Sequence, residues 1–138
     1  MSTATSVVTG MDFVCVPTRD IAAAMDFYEN VLGLEPSKRW GEGDEPMGAE
    51  FEPGDVTIAL LNNAKLGIEF QASNVPVAYQ VDDVEAARAE LESRSVTFVA
   101  DTIDSGVCHM AHFKDPDGNV LMLHNRYAPK DARPEGMG

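Results

Sequence analysis

The chain has 138 residues, a formal net charge of −13, and 44% hydrophobic residues. This length fits one domain, and the apolar fraction is large enough to build a core. The acidic charge disfavours nucleic acids and anionic membrane surfaces as partners, and a solvated acidic surface is its simplest explanation.

Two features of the sequence indicate where the protein works. Cys15 and Cys108 are too few for a disulfide framework, which suits a reducing compartment. The N-terminus has no signal-peptide pattern, and no apolar run approaches the roughly 18 residues of a membrane span. We therefore expect a soluble, cytoplasmic protein, with flexible ends at residues 1–9 and 127–138, where small, polar, charged and Pro/Gly-rich stretches dominate.

The first half of the domain is predicted to be one module over about residues 10–63. A short apolar strand at 13–16 is followed by Thr18 and Asp20, which are good helix-start residues. Apolar residues at helical spacing then run to Gly33, where the helix is predicted to end. Three further strands are predicted over 34–40, 48–52 and 56–61.

A linker over about 64–74, with a short additional strand predicted around 66–70, leads to a second module at about 75–126. Here a strand at 77–81 precedes Asp82 and Asp83, which begin another amphipathic helix. Strands are predicted over 96–101, 107–113 and 120–125. The order β-α-β-β-β therefore occurs twice within a single domain at 10–126.

Such a repeat indicates that one copy cannot bury its own hydrophobic face. We predict an α+β fold in which paired βαβββ modules form an open curved sheet, here called the cup. The final hairpin carries Asp115-Pro116-Asp117-Gly118-Asn119 before an alternating apolar strand, so Met122 and His124 share one face of that strand.

Three stretches resemble a known family: "RDIAAAMDFYENVLGLE", "AYQVDDVEAARAEL" and "FKDPDGNVLML". They are similar to the vicinal oxygen chelate superfamily, which includes glyoxalase I, bleomycin-resistance proteins, extradiol dioxygenases and fosfomycin-resistance enzymes. Together they extend over most of residues 12–125. The resemblance implies paired βαβββ modules and a homodimer.

The resemblance also implies four metal ligands on the inner strand faces, commonly His, Glu, His and Glu. These positions fall on Phe13, Ala59, Pro76 and Met122. The internal repeat agrees, because the offset from Asp20 to Asp83 also takes the first position to the third and the second to the fourth. None of the four side chains suits a hard divalent metal, so we expect neither this metal nor another cofactor.

The residues that remain on the inner face are apolar, aromatic or sulfur-containing, with histidines as polar groups, which is typical of a small-molecule site. We predict that a ligand contacts Phe13, Cys15, Trp40, Ala59, Met110, His112, Met122 and His124. The two histidines are open to other roles. One is general-base catalysis, and another is a non-standard site for a soft or transition metal with Cys108 or Cys15.

Three functions follow from this reading. The first is a metal-independent small-molecule-binding protein similar to the bleomycin-resistance branch. The second is an enzyme, either a lactoylglutathione lyase-like lyase, an isomerase or a dioxygenase, with a relocated metal or a histidine base. The third is a non-catalytic scaffold whose cup is filled by its own side chains. The sequence leaves open the ligand's identity, and whether the cup forms within one chain or across a dimer.

Overall fold

The computed structural model describes residues 6–43 and 45–129. Most of the predicted flexible ends, residues 1–5 and 130–138, lie outside the described residues. Among the described residues no helix is long and apolar enough to span a bilayer.

The predicted α+β architecture of two βαβββ modules is confirmed. The first module contains β1 (Phe13–Thr18), α1 (Ile21–Asp26), which continues as a π-helical turn (Phe27–Val31), β2 (Glu35–Trp40), β3 (Gly48–Glu52) and β4 (Thr57–Asn62). A short helix, α2 (Asn63–Leu66), follows. The second module contains β5 (Val77–Gln80), α3 (Val84–Ser93), β6 (Ile103–Asp104), β7 (Cys108–Lys114) and β8 (Val120–Arg126).

Both long helices begin in the same way. The Asp20 carboxylate accepts a hydrogen bond from the backbone N–H of Ala23 at 3.1 Å, and Asp83 accepts one from Ala86 at 3.0 Å. Each carboxylate satisfies a backbone donor that the first turn of a helix leaves without a partner. Of the helix-start residues that the sequence pattern singled out, Asp20 and Asp83 are therefore the helix caps.

Each module forms one four-stranded sheet. The strand orders are β1-β4-β3-β2 and β5-β8-β7-β6, so β1 and β5 are edge strands that pair in parallel with β4 and β8. Side chains alternate between a face buried against the helices and the opposite face, here called the inner face. Both inner faces are thus presented by strands whose helix-side residues are fixed in the core.

The core is continuous across the two modules. Fully buried Tyr28, Phe51 and Phe113 belong to one hydrophobic cluster with residues of both sheets. The rings of Tyr28 and Phe51 have centroids 6.1 Å apart, and Phe113 packs on Phe98 at 5.2 Å. Each module therefore covers apolar surface that the other would leave exposed, as the repeat predicted.

The turn between β7 and β8 fastens the second module to the first. Its buried Asp115 accepts a hydrogen bond from the Tyr28 hydroxyl at 2.7 Å, and its buried Asp117 accepts one from the Thr18 hydroxyl at 2.5 Å. The Asn119 amide donates to a β1 carbonyl at 2.8 Å. Burial, and then the nearby Asp115 carboxylate, raise the pKa of Tyr28 far above its ordinary value, so the hydroxyl stays a donor.

Two predicted strands are wrong. Residues 96–101 contribute one bridge at Phe98, and the strand that follows is the two-residue β6. The reason is Arg88 of α3, which donates to the Ala100 carbonyl at 2.9 Å and lies 4.7 Å from the Phe98 ring centroid, so the segment packs on the helix. The additional strand around 66–70 is also absent from the described residues, because α2 occupies its start and Gly67 ends that helix with a φ of 71°.

Candidate functional site

Four of the predicted ligand-binding residues lie together on the inner face of the second sheet. His112 of β7 is directly opposite Met122 of β8, and Met110 is directly opposite His124. All four side chains are partly buried. We call this two-by-two array of Met110, His112, Met122 and His124 the inner-face quartet.

The two imidazoles of the quartet differ from the third histidine. His109 points to the other face of β7, where its ring lies 3.4 Å from the Asp104 carboxylate and 4.8 Å from the Tyr127 ring centroid. In contrast, no hydrogen bond or ion pair among residues 6–43 and 45–129 involves the imidazole of His112 or His124. Their ring nitrogens are therefore available to a bound group.

One further cross-strand pair extends the quartet. The buried thiol of Cys108 is opposite Arg126, whose Nη1 donates to the Cys108 Sγ at 3.8 Å. The Nε of Arg126 is buried and has no hydrogen-bond partner within the described part of the chain. This end of the inner face therefore combines a thiol with a positive charge.

In the first sheet the inner face carries the other predicted residues. Cys15 of β1 is beside Ala59 of β4, and Ala59 is beside Glu50 of β3. Phe13 is 54% exposed and Cys15 is also exposed, so residues 6–43 and 45–129 cover neither side chain. Glu50 is a partly buried carboxylate that the sequence reading did not assign to a face. The buried residues Ala49 and Phe51 on either side of it are the signal that would have placed it.

The tryptophan closes the β2 end of this face. Trp40 is directly opposite Gly48, and a Cβ atom at Gly48 would lie 2.1 Å from Cζ2 of the indole. The indole therefore needs glycine beneath it. The Trp40 Nε1 is buried and has no hydrogen-bond partner among the residues that the structure describes.

The predicted ligand-binding set is thus divided between the two sheets. The inner-face quartet lies on the second sheet, whereas Phe13, Cys15 and Ala59 lie together on β1 and β4, with Trp40 on the outer strand β2. Pro76, the third predicted metal position, immediately precedes β5.

A cavity of about 910 Å³ lies between the two modules. Its walls come from the β1 and β5 edges, α3, the segment after α1 and the β3–β4 turn. This volume is within the range of small-molecule sites. Of the predicted ligand-binding residues, Cys15 lines it. The sequence did not predict this cavity, because residues of both modules line it and the hydrophobic pattern of each module describes that module alone.

The four positions where the resemblance placed metal ligands do not fit a hard divalent ion. Phenylalanine, alanine and proline side chains have no donor atom, and the Met122 thioether is soft. Within residues 6–43 and 45–129, no three His, Cys, Asp or Glu side chains come together as metal ligands.

Comparison with known proteins identifies related folds. Residues 10–123 match a family model described as the Glyoxalase/Bleomycin resistance protein/Dioxygenase superfamily. No curated protein matches the chain. One similar solved structure is a glyoxalase/bleomycin resistance protein/dioxygenase from Nocardioides, with a TM-score of 0.72, 22% identity, and coverage of 97% of this chain and 93% of that one.

Two other structural neighbours have more specific names. TnmS3, an antibiotic binding protein from Streptomyces sp. CB03234, has a TM-score of 0.72, 22% identity, and coverage of 88% and 99% of the two chains. A lactoylglutathione lyase from Agrobacterium tumefaciens has a TM-score of 0.67, 17% identity, and coverage of 86% and 95%. At these identities the likeness concerns the fold, which hosts both binding proteins and enzymes.

Proposed function

Because the chain belongs to the glyoxalase/bleomycin resistance protein/dioxygenase superfamily, we propose that it binds a small organic molecule in the cup without the divalent metal that many relatives use. One observation carries this proposal. The four expected ligand positions hold Phe13, Ala59, Pro76 and Met122, which replace imidazole and carboxylate donors by apolar or thioether surface.

The chemistry of the inner faces supports an organic ligand. Aromatic rings contribute a large contact area at low entropic cost, and methionine adapts its shape to an irregular partner. His112 and His124, which have no hydrogen-bond partner among the residues that the structure describes, then supply polar contacts that orient the molecule. The neighbour titled an antibiotic binding protein is consistent with this class of function.

We also infer that the cup is completed in a homodimer. The edge strands β1 and β5 have no partner on their outer sides within the described chain. Apolar side chains near these edges are exposed, with Phe13 at 54%, Met11 at 68% and Val75 at 72%. Open sheet edges with exposed apolar residues favour association, and a second copy would bury both. Sedimentation velocity distinguishes a dimer from a monomer.

The single tryptophan of the chain lies on the inner face and serves as a reporter of binding. We would titrate a panel of planar aromatic compounds of differing charge into EDTA-treated protein and follow Trp40 fluorescence. The proposal expects saturable quenching by at least one class of compound, with equal affinity with and without EDTA. Binding that EDTA abolishes and a divalent metal restores would refute metal independence.

A matched pair of variants locates the site. Met122→Glu places a carboxylate on the inner face and should weaken binding by about tenfold or more, since desolvating an unpaired charge costs at least about 1.4 kcal/mol. Ile68→Glu is the control, because Ile68 is 54% exposed, follows α2 outside both sheets and was not predicted to touch the ligand. Equal effects of the two substitutions would place the ligand elsewhere, for example in the cavity between the modules.

A second candidate function rests on the imidazoles of His112 and His124, for which the described part of the chain offers no hydrogen-bond or ion-pair partner. A neutral imidazole that has no partner can act as a general base, and one structural neighbour is titled a lactoylglutathione lyase. The assay is lactoylglutathione formation from methylglyoxal and glutathione by metal-free protein. The binding proposal expects no turnover above background. Turnover that His112→Gln lowers and His109→Gln leaves unchanged would favour the enzyme instead.

A further inference from the structure

We propose that the inner-face quartet is a binding site for a soft monovalent metal ion, Cu(I), for which Ag(I) is a redox-stable substitute. This goes beyond the proposed function, because it requires no organic ligand and concerns a different class of metal from that of the family's usual site. It also takes up the soft-metal alternative that the sequence left open for His112 and His124, with methionines as partners in place of cysteines.

The strand register supplies the geometry. Each cross-strand pair combines one imidazole with one thioether, His112 with Met122 and Met110 with His124. Residues directly opposite in an antiparallel pair have Cβ atoms about 4.5–5.5 Å apart, and diagonal neighbours about 7–8 Å apart. Histidine and methionine side chains are long enough for four such residues to meet at a common point above the sheet. The two nitrogens are then diagonal to each other, as are the two sulfurs.

The donor set selects the metal. Thioether sulfur is a soft ligand that prefers Cu(I), and imidazole also suits copper, whereas magnesium, calcium and manganese prefer oxygen donors. Met122 therefore has two effects. It replaces the carboxylate that the resemblance would require for a hard metal, and it provides a sulfur donor for a soft one.

The surroundings suit a weakly hydrated ion. On either side of the quartet the same inner face presents Ala78 beside Met122 and Ile103 beside Met110, while the positive charge of Arg126, in the next cross-strand pair, is directed at the Cys108 Sγ. The quartet is partly buried, so an ion can enter from solution while its ligands stay anchored on two paired strands. Neither imidazole has to break an existing hydrogen bond or ion pair among the described residues in order to bind.

The test must remove the thiols, because Cys15 is exposed, Cys108 lies one cross-strand pair from the quartet, and both would bind the same ions. In a C15S/C108A background, Cu(I) would be titrated anaerobically against a chromophoric Cu(I) chelator. We expect one equivalent to bind. In the same background M110L/M122L should weaken binding by about 100-fold or more, since loss of groups that only orient a ligand already costs roughly 10–100-fold.

Methionine and leucine are similar in volume, so this variant should keep its fold. His109→Gln and Met25→Leu are matched controls, one on the other face of β7 and one on α1. Each control substitution should change the Cu(I) affinity by less than about twofold. Equal Cu(I) affinity in the M110L/M122L protein would overturn the proposal.

A second readout needs no change to the quartet. With ¹³C-methyl methionine in the C15S/C108A protein, Ag(I) should move two of the seven methionine methyl resonances. No movement, or movement of a different pair, would overturn the site. Organic-ligand binding is measured separately on metal-free protein in the presence of the chelator, so that either proposal can fail without the other.

Discussion

The hydrogen bond between Tyr28 and Asp115 allows a test of how the two modules are held together. Tyr28→Phe keeps the ring in the core and removes the hydroxyl that lies 2.7 Å from the Asp115 carboxylate. Asp115 is 6% exposed, so water does not readily replace the lost donor. A hydrogen bond to a charged group contributes about 1.5–3 kcal/mol.

The remaining bonds to Asp115 favour the middle of that range. Its Oδ2 still accepts from the Asn119 amide at 2.9 Å, and its Oδ1 accepts from two backbone N–H groups of the same turn. We therefore expect Tyr28→Phe to lower the free energy of unfolding by about 2 kcal/mol. With a urea m-value of about 2 kcal/mol/M, the unfolding midpoint would fall by about 1 M.

The chain provides a matched control. Tyr79 is also a buried tyrosine near Asp115, but its hydroxyl has no hydrogen-bond partner within the described residues. Tyr79→Phe removes a desolvated, unsatisfied group and should change stability by less than about 0.5 kcal/mol, or increase it. Urea unfolding followed by both far-UV circular dichroism and Trp40 fluorescence measures the two variants. Equal losses in the two variants would refute the reasoning.

Three further predictions concern other parts of the molecule. Gly48→Ala should displace the Trp40 indole, shift its emission maximum and destabilise the fold by about 1–3 kcal/mol, since overpacking forces rearrangement; an unchanged emission spectrum would contradict this. Burial, and then the nearby Asp115 carboxylate, raise the pKa of Tyr79 well above its ordinary value, so the folded state keeps a proton that the unfolded state loses near pH 10, and stability should fall as pH rises above about 10. Phenolate absorbance should then appear together with unfolding in an alkaline titration, and its appearance before unfolding would contradict the burial argument. Substituting His, Glu, His and Glu for Phe13, Ala59, Pro76 and Met122, in that order, should create a divalent-metal site. The expected result is a rise in melting temperature on adding Zn²⁺ or Ni²⁺ that the wild type lacks. A rise of equal size in the wild type would count against the inferred positions.

Local pattern predicted most of the architecture. The strands over 48–52 and 120–125 agree with β3 and β8 to within one residue, because alternation of buried and exposed side chains marks them clearly. Asp20 and Asp83 were recognisable as helix starts because short polar side chains have a specific capping role there. The conformation of residues 96–101 was not predictable in this way. A strand was expected there, but contacts with the Arg88 side chain of α3 decide how the segment packs.

The candidate site was predictable in part. Strand alternation was enough to place Met122 and His124 on one face, and the hairpin register then brought His112 opposite Met122. The packing of Trp40 on Gly48 was not predictable, because it depends on which residue of β3 lies opposite. The role of the predicted residues in ligand binding stays a prediction.

The internal repeat is broken at one informative place. The offset that takes Asp20 to Asp83 also takes Glu52 to Asp115. Asp115 accepts a bond from the other module, whereas Glu52 accepts bonds from Ser37 and Thr57 of its own module. The exposed turn that follows Glu52, residues 53–55, borders the 910 Å³ cavity.

The two ends of the seam between the modules therefore differ. At the β7–β8 turn, buried carboxylates accept hydrogen bonds from side chains of the other module. At the matching β3–β4 turn the carboxylate accepts from its own module, and the seam there contains the cavity, whose wall includes Arg94 with its 2.8 Å bond to the Val31 carbonyl. The departure from repeat symmetry thus leaves space for a guest molecule at one end of the seam and none at the buried turn of the other.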